Sequence, residues 1–275
     1  MSENIYEKDG ELGGVLRQVS IQLRGSLGNI YNALSRIAPP ELRDGEEGID
    51  QDAAVLCQSY YRILRLANNL SDAAALEGPG QARLRNGDIA GFCREVMEKA
   101  EPPARLLGIQ LAFRCEKASH IIAMDSGRLE RMMLNLLSNA FKFTTGAEKR
   151  VTLEVRIGPK WVELALSDTG PGIPPELQET IFDRYRHTRR LDPPPHGLGL
   201  GLPLSRRIAQ EHGGTLLITS RAGEGTTVTV SLPNRREAAG RMSDFLVDLD
   251  GGFNRTLAGL ADALPREAFT QKYLD

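Results

Sequence analysis

Asp168-Thr-Gly-Pro-Gly-Ile173 ends a strand-like run, Trp161-Val-Glu-Leu-Ala-Leu-Ser167. Downstream lies His196-Gly-Leu-Gly-Leu-Gly-Leu202, and upstream Leu134-Asn-Leu-Leu-Ser-Asn-Ala-Phe-Lys-Phe143. A carboxylate at a strand end, facing a cleft, can accept a hydrogen bond from an exocyclic amine such as that of adenine. Gly170 and Gly172 let the chain turn tightly, and let a flat ring approach without a Cβ in the way. An ordinary Asp/Gly turn after a strand is the plainer reading of this piece alone. Three such pieces in this order read together as a nucleotide pocket.

Asn135 and Asn139 lie four apart on a strongly apolar segment that includes Leu129, Met132, Met133, Leu136 and Leu137. Both therefore sit on one face of a buried helix. Two amides in a packed helix need partners, because an unpaired buried amide is costly. Two readings stand at this point. The amides bond neighbouring backbone, or an amide oxygen serves Mg²⁺, which binds mainly through phosphates and water. Lys142, three residues beyond Asn139, is placed to reach a phosphate.

Gly197, Gly199 and Gly201, with Leu198 and Leu200 between them, run into the amphipathic stretch Leu202 to His212. Backbone N–H groups of a Gly-rich loop at a helix N-terminus form an anion site. Pro203 fits the first turn, where its missing N–H costs little. The spacing excludes the dinucleotide fingerprint, and no Gly-Lys-Ser/Thr follows to make a P-loop.

Asn135 to Thr144, Asp168 to Ile173, Ile181-Phe-Asp-Arg-Tyr185, Gly197 to Leu202 and Gly223-Glu-Gly-Thr-Thr227 resemble, in order, the ATP-binding boxes of the sensor histidine kinases. These kinases share a superfamily with gyrase, Hsp90 and MutL. The resemblance is dense over residues 88 to 233. It implies an α/β sandwich domain of Bergerat type that takes ATP and Mg²⁺. It also implies Asn139 as the Mg²⁺ ligand, Asp168 as the adenine anchor, and Thr226 in support of the adenine side. Phe182 and Arg184 would border a lid, and the Gly197–Gly201 run would embrace the triphosphate. In superfamily members that hydrolyse ATP, a Glu four residues before the Mg²⁺ Asn is the general base. Asn135 holds that place and cannot take a proton, which disfavours fast hydrolysis.

The formal charge of −2 gives no argument for nucleic acid or an anionic membrane. Cys57, Cys93 and Cys115 lack metal spacing and read as thiols in a reducing compartment. The polar N-terminus does not read as a signal peptide, and no apolar run in the sequence has the length expected of a bilayer span. A cytoplasmic protein is the expectation.

Residues 11–38 predict a long amphipathic helix through Leu12, Leu16, Val19, Leu23, Leu27, Ile30, Leu34 and Ile37, stopped by Pro39-Pro40. Arg43 to Gly48 reads as a turn. A second helix over about 50–76 repeats the pattern through Ala53, Leu56, Tyr60, Ile63, Ala67, Leu70 and Ala74. Two helices cannot bury both stripes well alone, so residues 11–76 predict a homodimer that closes a four-helix bundle. Glu77 to Gly80 is the expected hinge. The predicted class is α+β, with a helical hairpin over 1–80, an ATP-binding domain over 81–234 and an appendage over 235–275. The appendage either docks on a domain or partner, or frays.

The hairpin resembles the dimerisation and phosphoacceptor domain of histidine kinases, and departs from it where the acceptor should be. Ile21 stands in place of the His, Gln22 in place of its acidic neighbour, and Gly25 in place of the Thr/Asn associated with phosphatase activity. The histidines are His120, His187, His196 and His212, all outside the hairpin. Ile21 lies off the apolar seam and should be exposed. Ser20 is a conceivable hydroxyl acceptor, although a Ser there is more often merely solvated.

Between Asp183 and His196, a basic stretch stiffened by Pro193-Pro-Pro195 fits a lid that orders on ATP, or equally a solvated charge run. Three functions remain open. One is a dimeric Mg-ATP-binding signalling protein without its own acceptor. Another is a kinase that phosphorylates a His or Ser of a partner in trans. The last is an interaction module with a vestigial pocket. A response regulator or a partner kinase are the candidate partners.

Overall fold

The computed structural model describes residues 3–77, 82–178, 181–182, 199–238 and 254–274. The chain divides into two compact units: Met1–Gly80 with Leu264–Asp275, and Gln81–Ala263.

In the first unit, helices α1 (Glu3–Ile37) and α3 (Glu47–Glu77) pack against each other along their length. Ser20 Oγ donates to Ala67 O at 2.8 Å, and the Tyr31 and Tyr60 rings lie 4.9 Å apart. Rising numbers on one helix meet falling numbers on the other, so the pair is antiparallel. Of the turn expected over Arg43 to Gly48, residues 43–45 instead close a short helix α2 (Pro40–Gly45), and α3 begins at Glu47. Pro39 caps α2 and Pro40 occupies its first turn, where a proline loses no hydrogen bond.

The face between α1 and α3 buries Ser20, Leu27 and Leu34 from one helix, and Ala53, Tyr60, Leu64 and Ala67 from the other. The single seam expected on each helix proves to be two. Val19, Ile30 and Ile37 on α1, with Leu56 and Ile63 on α3, belong to a second stripe and are exposed. Ser20 is buried and hydrogen-bonded rather than solvated, which removes it as an accessible hydroxyl. Ile21 is 58 % exposed, as its place off the seam requires.

The C-terminal residues of this unit are part of its core. Arg43 is buried, and donates from Nε to Asp50 Oδ1 and from Nη2 to Phe269 O, both at 2.8 Å. Asp50 also accepts from the Gln271 N–H at 3.0 Å, and Phe269 stacks in a tilted contact on Tyr61.

In the second unit, a five-stranded sheet runs in the order β2 (Gln110–Cys115), β4 (Arg150–Ile157), β5 (Trp161–Asp168), β7 (Gly225–Pro233), β6 (Thr215–Arg221). The β2–β4 pair is parallel and the others are antiparallel. Alternate residues Val151, Leu153, Val155, Val162, Leu164 and Leu166 are buried on one face. Helices α4 (Ile89–Leu106), α5 (Ser126–Phe143) and α7 (Gly201–Glu211) contact the sheet. The result is the expected α/β sandwich. A separate two-stranded ribbon pairs β1 (Arg85–Asp88) with β3 (Ile121–Met124). Helix α4 continues through Pro102 and Pro103. Residues 254–263, with the short helix α8 (Arg255–Leu260), belong to this unit and pack on α5. The segment expected as one appendage is thus divided between the two units. Among the described residues no helix is long and apolar enough to cross a membrane.

Candidate nucleotide-binding site

Asp168 is the last residue of β5, directly across from Thr226 of β7. Its Oδ1 accepts from the Gly170 N–H at 2.8 Å, and the Thr226 N–H also donates to the carboxylate. Burial nevertheless pushes the carboxyl above its ordinary range, and the two amides only partly offset it. The turn that follows is pressed onto the β6–β7 hairpin. Gly172 has φ +71°, and a Cβ there would lie 2.1 Å from Arg221 O, so only glycine fits. Gly225 has φ +91°, with the same close approach to Asp168 O.

Ser220, which the sequence did not single out, joins the two segments. Its Oγ accepts from the Ile173 N–H at 2.8 Å, donates to Gly225 O at 2.9 Å and lies 2.9 Å from Thr226 Oγ1. Gln178, the last residue of the short helix α6 (Pro175–Gln178), donates to Ile173 O and Ser220 O. The signal was available, since a hairpin turning at 222–224 places Ser220 opposite Thr226. Asp168, Gly170, Gly172, Ile173 and Thr226 are thereby brought together as one rim.

Asn135, Asn139 and Lys142 are all on α5. Asn135 is 7 % exposed and Asn139 half-buried. Asn135 Nδ2 has no hydrogen-bond partner among the described residues, and a Cβ on Gly201 would lie within 4.0 Å of the Asn135 side chain. A buried amide left unpaired beside glycine backbone is costly, and a polar ligand there would satisfy it. Lys142 is engaged by protein: its Nζ lies 3.5 Å from Asp262 Oδ2.

Gly199, Leu200 and Gly201 lead into α7, with Leu200 at the cap and Pro203 in the first turn. Arg184, Gly197 and Leu198, and the expected lid over 183–196, lie outside the described residues. Phe182 is described, with the Arg206 guanidinium 4.8 Å above its ring.

The far end of α7 is tied to the start of α5 by His212, also unforeseen from sequence. Its Nδ1 donates to Ile208 O at 2.8 Å and its Nε2 accepts from the Asp125 N–H at 3.0 Å. The bond accepted at Nε2 requires the neutral ring, and burial lowers its pKa from the usual histidine value. Asp125 in turn caps α5, accepting from the Arg128 N–H, while Arg128 pairs with Glu211. The Gly-rich turn and the amide helix are therefore held in fixed relation.

A mixed sheet with helices packed on it, an amide-bearing helix, and a half-buried aspartate on a glycine turn make an α/β sandwich built around a candidate nucleotide pocket. Residues 124–236 match the family of histidine kinase-, DNA gyrase B- and HSP90-like ATPases. The chain belongs to the sensor histidine kinase-like ATPase family. It is 30 % identical to the hybrid signal transduction histidine kinase D of Dictyostelium discoideum, over 84 % of this chain and 15 % of that protein. It is 32 % identical to the sensor protein DivL of Caulobacter vibrioides, over 80 % of this chain and 28 % of that one. The chain thus spans less than a third of the length of either relative. Among solved structures, full-length ShkA in complex with AMPPNP is similar, with a TM-score of 0.65 and 26 % identity over 83 % of this chain and 47 % of that one. Histidine kinase ThkA, solved with the response regulator TrrA, shares the fold at a TM-score of 0.53 and 22 % identity, over 83 % and 63 % of the two chains.

Proposed function

We propose that this chain binds Mg-ATP and dimerises as a histidine-kinase-like signalling protein that does not phosphorylate its own hairpin. The observation that carries the reading is the desolvated Asp168 carboxylate, set on its glycine turn while the hairpin holds no histidine. A carboxylate kept at a cost in stability is characteristic of a binding site. Asp168 would accept from the adenine amine, with Thr226 in support. Asn135, Asn139 and the Gly199–Gly201 turn would take the phosphates, with Asn139 as the protein ligand of Mg²⁺. The metal, when bound, would offset phosphate charge.

Dimerisation is supported by the second apolar stripe. Val15, Val19, Ile30 and Ile37 of α1, and Leu56, Ile63 and Leu66 of α3, are exposed in the single chain. Four such helices would close a bundle. A cytoplasmic setting belongs to the same proposal, supported by three free thiols. A response regulator or partner kinase is the proposed partner class, by likeness to relatives that act in two-component signalling.

The test is intact mass after incubation with Mg-ATP, for the wild type and Asp168→Asn, beside a nucleotide titration. Binding without added phosphate, lost on substitution, is the expected result. A phosphorylated wild type would overturn it in favour of transfer, and absence of binding would leave only an interaction module.

A further inference from the structure

Residues 254–263 pack on the flank of α5 that carries Glu130, Leu134 and Lys142. Asn254 caps α8, accepting from the Leu257 N–H at 2.9 Å. Gly259 lies so close to Leu134 that a Cβ would sit 2.8 Å from that side chain. Arg255 pairs with the buried Glu130 at 3.2 Å, and Leu260 and Ala261 are fully buried. These contacts fix the residue that follows, Asp262. Its carboxylate lies 3.5 Å from Lys142 Nζ, with the two side chains only 12 % and 14 % exposed.

We propose that the C-terminal segment is a built-in competitor of the nucleotide's phosphates, with Asp262 holding the Lys142 ammonium that a polyphosphate would otherwise take. The proposal rests on reading the pocket as a nucleotide site. Lys142 is three residues beyond Asn139, so the same helix presents a candidate metal ligand and a cation that the tail has claimed. A pair shielded from water is unlike an exposed ion pair of small net value. Drawing the ammonium away breaks a pair that is shielded from water, and that cost is set against phosphate binding. The competition therefore acts on the phosphates and not on the base. It also gives the tail a means of control, because anything that lifts residues 254–263 from α5 raises affinity for the triphosphate.

The experiment titrates the full chain with Mg-AMPPNP and with adenosine, for wild type, Asp262→Asn, Lys142→Met and the double variant, after each passes a melting check. Asp262→Asn is expected to bind Mg-AMPPNP on the order of fivefold or more tightly, with adenosine unchanged. In the Lys142→Met background the same substitution should add nothing. Unchanged or weaker Mg-AMPPNP binding by Asp262→Asn would overturn the competition while leaving the nucleotide site intact. An equal gain for adenosine would also overturn it, as general loosening. Failure of every variant to bind either compound would remove the site itself. Should Asp262→Asn fail to fold, Asp262→Ser carries the same comparison.

Discussion

Asp168 and Thr226 face each other across the β5–β7 pair, and the backbone N–H of Thr226 donates to the Asp168 carboxylate. The carboxylate is nonetheless short of solvation, and its folded pKa lies above the unfolded value of 3.8. The sign follows from proton binding. A raised folded pKa means that the folded state holds the proton more tightly. The ionised group therefore opposes folding at neutral pH, and the opposition fades as pH falls through the folded pKa.

Asp168→Asn should thus keep or raise the melting temperature while weakening nucleotide binding at least tenfold, a loss of about 1.4 kcal/mol or more. The amide oxygen can still accept from Gly170, but an amide replaces the carboxylate in front of the ligand. Thermal unfolding with and without Mg-AMPPNP separates the two effects. A melting temperature several degrees lower would mean that Asp168 is structural.

How far this site could be read from sequence depended on locality. The Asn135/Asn139 spacing on α5, the strand before Asp168, and the hairpin turning at 222–224 each follow from short-range pattern. Strand β1 was missed because Arg85-Asn-Gly-Asp88 has no apolar alternation, and it pairs only through β3, far along the chain. Helix α2 was missed because its Pro, Gly and acidic residues also suit a turn. On α1 and α3, apolar residues from two adjacent stripes were merged into one seam. Periodicity places Val19 and Leu27 on neighbouring faces without saying which faces the same chain. The Lys142–Asp262 pair joins residues 120 apart, and no local signal announces it.

His212 gives a pH prediction. Its folded pKa is lowered from 6.5 by burial, so below that pH the unfolded chain binds a proton that the native chain resists. Stability should be level above the unfolded value. It should then fall as pH drops from 6.5 toward the folded pKa, by up to about 1.4 kcal/mol per pH unit. Urea unfolding across this range should show the slope for the wild type, and a shallower one for His212→Gln. Identical slopes would assign the pH dependence to other groups.

The second stripe yields a test of association. Ile30 and Ile63 are 57 % and 44 % exposed in the single chain, so charge there should cost the monomer little. Each buried Ile contributes about 1.5–3 kcal/mol, and a buried Glu adds a desolvation penalty. Ile30→Glu with Ile63→Glu should weaken the dimer more than tenfold in sedimentation equilibrium while helix content is retained. An unchanged dimer would place the interface elsewhere.

Ile21 tests whether the loss of the acceptor is the only block to transfer. At 58 % exposure it can be replaced by His without disturbing the α1–α3 core. Mg-ATP should leave the wild type unmodified. Ile21→His with Gln22→Glu, which supplies an imidazole and a neighbouring base, should gain an acid-labile phosphate visible by intact mass. Absence of that gain, with nucleotide still bound, would show that the pocket has lost transfer as well as the acceptor.

Phe269 is the buried anchor of the last residues, with no exposed surface and its ring 5.6 Å from that of Tyr61. Its carbonyl accepts from Arg43, which Asp50 also holds, while Asp50 accepts from the Gln271 N–H. Phe269→Ala keeps the backbone hydrogen bond but opens a cavity against Tyr61. The expected destabilisation of the helical unit is about 3–5 kcal/mol. The same substitution should free residues 264–274 to proteolysis, since their remaining contacts depend on the seat that Phe269 provides. Urea unfolding followed by tyrosine fluorescence, together with limited proteolysis, reads both. A loss under about 1 kcal/mol with the tail still protected would mean that the Arg43–Asp50 pair, and not the aromatic anchor, holds the segment in place.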